Sequence, residues 1–229
     1  MSGFPIPPNR KPTLIREFGW AEVWTIVLGI QATIVLSLVA FTGGGIGGLL
    51  VAVARTAPVR SLRALAGGFI DFFQGTPMLL QLFLVFYGLP VLGLKVNVWV
   101  AAAVGLTLHA SAFLGEIWRG GIQAVQAGQS EAAHALGLNY FARTRFVVLP
   151  QALRLSFAPT VGFLVQLIKG TSLAAIIGFV ELSRAAQLVS SITYKPLLAF
   201  GFAGLCYFAI CFPLSRMSAR FEKRYSIKT

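Results

Sequence analysis

The sequence has few charged residues, and few acidic residues in particular. Charged side chains make up 11% of the 229 residues, with 7 Asp and Glu against 19 Lys and Arg. Soluble domains carry about 25% charged residues, so this composition excludes an ordinary soluble fold. A net charge of +12 would suit a nucleic-acid-binding surface, but here the basic residues fall between long apolar runs. That placement favours an integral membrane protein.

The residue patterns of enzymes are also missing. The sequence contains no glycine-rich run that ends in Lys followed by Ser or Thr, no paired carboxylates and no metal-spaced histidines. Cys206 and Cys211 do not share a helix face, so they are predicted to be small core residues rather than a disulfide or a metal pair. We therefore predict that this chain is not an enzyme and holds no metal or cofactor.

What the sequence does contain is apolar runs, because 56% of its residues are hydrophobic. A bilayer core of about 30 Å requires about 20 helical residues, and about five runs are long enough. We therefore predict an all-α membrane protein with about five transmembrane helices. They are expected at residues 25–53, 76–94, 98–118, 155–178 and 197–215. The glycines from Gly43 to Gly48 predict close helix packing or a kink in the first span.

The distribution of basic residues predicts the orientation. Most Lys and Arg residues follow the first, third and fifth spans, and positive charge marks the cytoplasmic side. We therefore expect an external N-terminus and a cytoplasmic C-terminus in a single transmembrane domain, residues 1–229. Three parts of it lie outside the bilayer: an external segment at 1–20, a cytoplasmic loop at 120–154 and a basic cytoplasmic tail at 216–229.

The cytoplasmic loop has the signals of a short helix. Ser130 is expected to cap it, Glu131 lies in its first turn, and Gly137 is expected to end it with a positive φ. Asn139 is expected to cap a second helix, and Pro150 to turn the chain back towards the membrane. Two helical turns are unstable alone in water, so the first helix must be held by packing. An ordinary capped loop remains the alternative to a docking element.

The same stretch, EAAHALGLNYFARTRFVVLP at residues 131–150, resembles the EAA loop of ATP-binding-cassette (ABC) importer permeases. The shared pattern is Glu-Ala-Ala, three residues, Gly, nine residues, and then an aliphatic stretch that ends in Leu-Pro. The runs FFQGTPMLLQLFLVFYGLP, GEIWRGGIQAV and KGTSLAAIIGFVEL are similar to permeases for polar amino acids. The sequence departs from that family at Gln74, usually Arg, and at Gly170, commonly Asp or Asn.

The resemblance implies a type I ABC importer permease in a bacterial inner membrane. Its EAA helix would couple ATPase closure to the spans, with Glu131, Ala132, Ala133, Gly137 and Pro150 as the coupling residues. The small alanine side chains of this helix are expected to enter a groove on the partner. The implied partners are an ABC ATPase dimer that binds ATP and Mg, a second permease copy or homologous permease, and an extracytoplasmic amino-acid-binding protein. Transport would proceed by alternating access.

Polar residues inside apolar spans are candidates for the solute path, because burying them in a membrane is costly. His109 and Glu116 share a face of the third span, although an ion pair of Glu116 with Arg119 is the simpler alternative. Gln81 is a weaker candidate, since helix-start signals dominate that region. The fourth span ends with Gln166, Lys169, Thr171 and Ser172 around a possible helix break at Gly170.

Lys169 has two interpretations. It can meet a solute carboxylate, or it can neutralise Glu181 or Glu116. The competing function for the whole chain is a gradient-driven secondary transporter of small polar solutes, which would need internal repeats or an intramembrane ion site. The sequence shows no convincing repeat, and Glu116 is the one acidic residue within the predicted spans.

Overall fold

A computed structural model describes residues 16–225, with side chains described to residue 223. Residues 1–15 of the predicted external segment and the end of the predicted basic tail lie outside this range. Within it the chain is helical, and the described residues contain no strand. The helices are α1 (Trp20–Thr56), α2 (Arg60–Gly75), α3 (Met78–Val91), α4 (Val98–Gln123), α5 (Ala127–Ala135), α6 (Tyr140–Arg143), α7 (Leu149–Gly170), α8 (Leu182–Thr193) and α9 (Pro196–Tyr225).

The glycine run of α1 forms its contact with α4. A Cβ atom added to Gly44 would lie 2.3 Å from the Ala110 Cβ, and one added to Gly48 would lie 2.9 Å from the Leu114 Cβ. The helix continues without a break through this run, so close packing is confirmed and a kink is not seen. Because the contacting residue numbers rise together on both helices, α1 and α4 run parallel.

The span predicted at residues 76–94 is wrong in extent. Two helices, α2 and α3, occupy this part of the chain and meet at an angle of 108°. Pro77 lies at the break, where it has no N–H to donate and disfavours helical geometry in the residue before it. Since α1 and α4 run parallel, the chain must return across the bundle between them, and α2 and α3 together make this return.

The remaining long helices alternate in direction. Trp118 of α4 donates a hydrogen bond to Thr160 of α7 at 3.1 Å, and a Cβ at Gly121 would meet Ser156, so these helices are antiparallel. Ser218 of α9 donates to the Ala158 carbonyl at 2.8 Å, while higher-numbered Phe221 contacts Phe157, so α9 is antiparallel to α7. The ends of α1, α4 and α9 and the start of α7 therefore lie at one end of the bundle, together with most basic residues.

Within the described residues, four helices are long and apolar enough to cross a membrane, and five crossings result if α2 and α3 form one broken span. This confirms the predicted all-α fold with about five spans. The polar stretch after the fourth span forms the 12-residue helix α8, which packs on α1 and α9 at the opposite end of the bundle from α5. The main core lies between α1, α3, α4 and α7.

Candidate coupling surface and translocation path

Helix α5 lies in the loop between α4 and α7 and carries the Glu-Ala-Ala motif. It begins at Ala127 after Gln126, so the prediction that Ser130 caps it is wrong. The extra turn starts because the backbone leaves the helical conformation at Gln126, with ψ +134°, and the Gln126 carbonyl accepts a hydrogen bond from the Gln129 N–H at 3.0 Å. The predicted end is confirmed, because Gly137 has φ +78°.

The end of α5 is a Schellman motif. The Gly137 N–H donates to the His134 carbonyl at 2.9 Å, and the Leu138 N–H donates to the Ala133 carbonyl at 3.1 Å. The left-handed backbone of Gly137 is what allows both bonds, and a side chain there would be strained. The last turn of α5 is therefore firmly closed before the chain enters α6.

The alanines of the motif do not share one environment. Ala133 is 4% exposed and faces the chain itself, whereas Glu131, Ala132 and Gly137 are exposed. The expectation that the Ala133 methyl enters a partner groove is therefore not what the structure shows. Ala133 holds α5 against the chain, and the opposite face, with Ala132, is free to contact another protein.

From Tyr140 onwards the chain is helical without interruption into α7. The Asn139 side chain accepts a hydrogen bond from the Ala142 N–H at 2.8 Å, so the predicted cap is confirmed. A π-helical turn, Thr144–Val148, joins α6 to α7. Pro150 lies exposed two residues after this π-helical turn, and the chain stays helical from Tyr140 through it. The turn of the chain expected at Pro150 is therefore not seen, because the π-helical turn changes the hydrogen-bond pattern directly before the residue that has no N–H to donate.

An exposed aromatic surface adjoins α5, and the sequence reasoning missed it. Tyr140, Phe141 and Phe146 are 74%, 71% and 68% exposed. The Arg143 guanidinium lies 5.5 Å from the centre of the Tyr140 ring, and Arg145 lies 5.8 Å from that of Phe146. The signal in the sequence is the mixture of aromatic residues and arginines in residues 140–146, which the EAA spacing alone does not explain.

The structure brings together two of the residues predicted to line the solute path, Gln81 and His109. They form a hydrogen bond with each other, and Gln81 is also bonded to the backbone. Gln81 is 2% exposed, and its amide nitrogen donates to the Phe73 and Thr76 carbonyls at 2.8 and 2.9 Å. Its Oε1 lies 2.9 Å from the His109 Nδ1, which therefore carries the hydrogen. Gln81 thus joins the break between α2 and α3 to α4.

Glu116 forms the predicted ion pair with Arg119, one turn further along α4. The Arg119 Nε donates to Glu116 Oε2 at 2.8 Å, and a second nitrogen of the guanidinium contacts the other carboxylate oxygen. The Glu116 side chain is 31% exposed. The pair lies near the end of α4 that leads to α5. Of the two interpretations of Glu116, the ion pair with Arg119 is therefore the one that the structure shows.

A cavity of about 720 Å³ lies between α4, α7 and α9. Its walls include Phe113 and Phe163, whose rings stack at 5.4 Å, and the His109 ring packs on Phe113 at 4.5 Å. Gln166 is exposed in the same cavity. His109 and Gln166, which the sequence placed on different spans, are therefore linked through two aromatic rings.

The other residues at the end of α7 differ in exposure. α7 changes at Gly170 into a 3-10 helix, Thr171–Ile177, which we call the 3-10 segment. The possible helix break at Gly170 is thus a change of helix type without interruption, since Gly170 itself has right-handed helical backbone angles. Lys169 is exposed, and none of the ion pairs found among residues 16–223 involves it, so neither predicted carboxylate neutralises it. Ser172 is half-buried, but Thr171 is 0% exposed and does not face open space.

A second buried polar cluster, formed by Glu181, Thr33 and Tyr207, was not predicted from the sequence. Glu181 is 0% exposed and caps α8, where its Oε1 accepts from the Arg184 N–H at 2.8 Å. Its Oε2 accepts from the Tyr207 hydroxyl at 2.6 Å and lies 3.4 Å from the Thr33 hydroxyl. One carboxylate thus joins α1, α8 and α9 near the far end of the bundle.

Comparison with known proteins identifies the family. The family described as "Binding-protein-dependent transport system inner membrane component" matches residues 44–227. The probable amino-acid ABC transporter permease protein YckA of Bacillus subtilis is 34% identical over 88% of this chain and 89% of its own length. The putative glutamine transport system permease protein GlnP of Rickettsia conorii is 34% identical over 90% of this chain and 94% of its own.

Solved structures agree with this result. A crystal structure of an amino acid ABC transporter with histidines has a TM-score of 0.84 and 30% identity, covering 89% of this chain and 95% of that chain. An inward-facing MetNI methionine ABC transporter shares the fold, with a TM-score of 0.73 at 19% identity. The chain therefore belongs to the family of binding-protein-dependent transport system inner membrane components and is a multi-pass membrane permease of an ABC transporter.

Proposed function

We propose that this chain is the permease of an ABC importer for a polar amino acid, and that α5 is its coupling helix. The observation that carries the proposal is the placement of α5. It projects from the end of the bundle where basic residues collect, its buried Ala133 fixes it to the chain, and its other face is exposed. A short rigid helix of this kind transmits motion from a partner to the spans.

The partner that fits this surface is an ABC ATPase dimer, which would bind the ATP and Mg that this chain has no motif to hold. In this proposal Glu131 and Ala132 contact the ATPase, while Ala133, Gly137 and Pro150 set the position and direction of the helix. The N-terminus is then external and the C-terminus cytoplasmic, as the basic residues at the α5 end of the bundle indicate.

The solute path would need two permease chains, because this chain alone does not enclose the cavity between α4, α7 and α9. The second chain is a copy of this one or a homologous permease, and an extracytoplasmic binding protein delivers the solute. His109, Gln166, Lys169 and Ser172 are the proposed solute-facing residues, and Gln81, Glu116 and Thr171 are proposed to position them. The names of the relatives support an amino acid as the solute.

The test is a substitution on the exposed face of α5. Ala132→Arg should leave insertion and thermal stability unchanged, because Ala132 is exposed, yet it should lower ATP-driven uptake and binding of the ATPase at least about tenfold by blocking a close contact. Ala219→Arg, at an exposed alanine near the end of α9, is the matched control. Full uptake with Ala132→Arg would contradict the coupling role of α5.

A further inference from the structure

Two oppositely charged side chains lie at the α5 end of the cavity between α4, α7 and α9. Ser218 of α9 donates to the Ala158 carbonyl of α7 at 2.8 Å, and these two helices are antiparallel. One helical turn from this contact, towards the α5 end, are Arg154 on α7 and Glu222 on α9. Both residues line the cavity, so they lie at one level across neighbouring helices.

Arg154 and Glu222 are free to bind a molecule between them. Both residues are exposed, and none of the hydrogen bonds and ion pairs found among residues 16–223 involves either side chain. Because both residues remain in contact with water, neither charge needs a partner within the chain. The axes of packed helices are about 8–10 Å apart, so two long side chains can converge on a small molecule in the space between them.

A proline in α7 supplies a further polar group at the same place. Pro159 has no N–H, so the Leu155 carbonyl lacks the donor that an α-helix would otherwise give it. Leu155 and Pro159 both line the cavity, and Leu155 directly follows Arg154. We call Arg154, Leu155 and Glu222 the cavity mouth. It combines a guanidinium, a carboxylate and a carbonyl without its helical donor.

The chemistry of the cavity mouth matches the two charges that every free α-amino acid carries. A guanidinium binds a carboxylate through two parallel hydrogen bonds, and an ammonium group donates to carboxylate and carbonyl oxygens. We propose that the cavity mouth binds the zwitterionic backbone of an amino acid. Arg154 holds the α-carboxylate, while Glu222 and the Leu155 carbonyl hold the α-ammonium group. This inference rests on the proposed function, to whose path it adds an exit site.

The cavity mouth is separate from the residues proposed above to face the solute. Gln166 lies 12 residues after Arg154 on α7, which corresponds to about 18 Å of helix. The backbone of one amino acid cannot span this distance. The cavity mouth would therefore hold a solute that has already left Gln166, and it would accept amino acids whatever their side chain.

The experiment follows hydrogen exchange of residues 150–160 and 216–223 in the full permease–ATPase complex without nucleotide. The probes are L-alanine, L-alaninamide, which lacks the carboxylate, and N-acetyl-L-alanine, which lacks the ammonium group. The probe concentration that gives half of the maximal protection measures the affinity of the cavity mouth. Binding near Gln166 does not enter this measurement, because Gln166 lies outside the residues that are followed.

L-Alanine should slow exchange in both segments, and each analogue should require at least about tenfold more, as expected for losing a hydrogen bond between charged groups. Arg154→Met should weaken the binding of L-alanine about tenfold and remove its advantage over L-alaninamide. Glu222→Gln should instead reduce the advantage of L-alanine over N-acetyl-L-alanine. Arg220→Met, at an exposed arginine that does not line the cavity, is the matched control and should behave like the unmodified complex.

Two results would overturn the proposal. One is the absence of protection by L-alanine, or equal protection by all three probes. The other is faster exchange in Arg154→Met and Glu222→Gln before any probe is added, with no effect of L-alanine, which would mean that the two side chains pair with each other. The three probes test the unmodified complex even if a variant fails to insert. Absence of ATP-driven amino acid uptake in the unmodified complex would count against the proposed function, while local protection by L-alanine would still test the site.

Discussion

The contact of α1 with α4 provides the most quantitative prediction. A methyl group added at Gly44 would lie 2.3 Å from the Ala110 Cβ and 3.2 Å from the Ala110 backbone. Neither neighbour is a flexible side-chain end, so the helices must separate. Overpacking of this kind costs about 1–3 kcal/mol. The adjacent Gly45 is the matched control, because its added methyl would meet only the Trp118 ring, at 3.7 Å.

Both changes replace glycine by alanine inside the same helix, so the intrinsic helix propensity gain of about 1 kcal/mol is shared and cancels in the comparison. We expect Gly44→Ala to be less stable than Gly45→Ala by about 1–3 kcal/mol. The assay is reversible unfolding in mixed detergent micelles, followed by circular dichroism. Adding Ala110→Gly to Gly44→Ala should restore part of the loss. Equal stabilities of Gly44→Ala and Gly45→Ala would refute the packing argument.

Three further changes are predicted. Gln81→Leu should lower the free energy of unfolding by about 2–4 kcal/mol, measured by the same unfolding assay, because it leaves the buried Phe73 carbonyl and the half-buried Thr76 carbonyl without their donor. Glu116→Gln should change it by less than about 1 kcal/mol, because the pair with Arg119 is partly exposed; a larger loss would mean that the pair is structurally essential. Gly137→Ala should destabilise the end of α5 by about 1–2 kcal/mol through its positive φ, seen as faster local hydrogen exchange with global stability unchanged.

The sequence predicted the elements that depend on composition and local chemistry. Apolar runs located the spans, Gly137 marked the end of α5, and Asn139 marked the next cap, because each follows from a short-range rule. The broken span of α2 and α3 was missed, since Pro77 reads equally well as the first turn of a continuous helix.

The burial of individual side chains could not be read from the sequence. Ala132 and Ala133 are neighbours with the same side chain, yet tertiary packing buries only the second of them. Likewise, the bonds that join Glu181 to Thr33 and Tyr207 span 148 and 26 residues, and no local pattern specifies them. The sequence shows that aromatic residues follow α5, but only the fold determines that they are exposed.

The central claim is that this chain transports an amino acid at the expense of ATP hydrolysed by a partner. The direct measurement is uptake of radiolabelled amino acids by vesicles that contain the chain with its ATPase and binding protein. Our account predicts uptake that requires ATP, persists when an ionophore collapses the ion gradients, and is lost with Ala132→Arg. Uptake that proceeds without the ATPase and stops with the ionophore would instead establish a gradient-driven transporter and contradict the account.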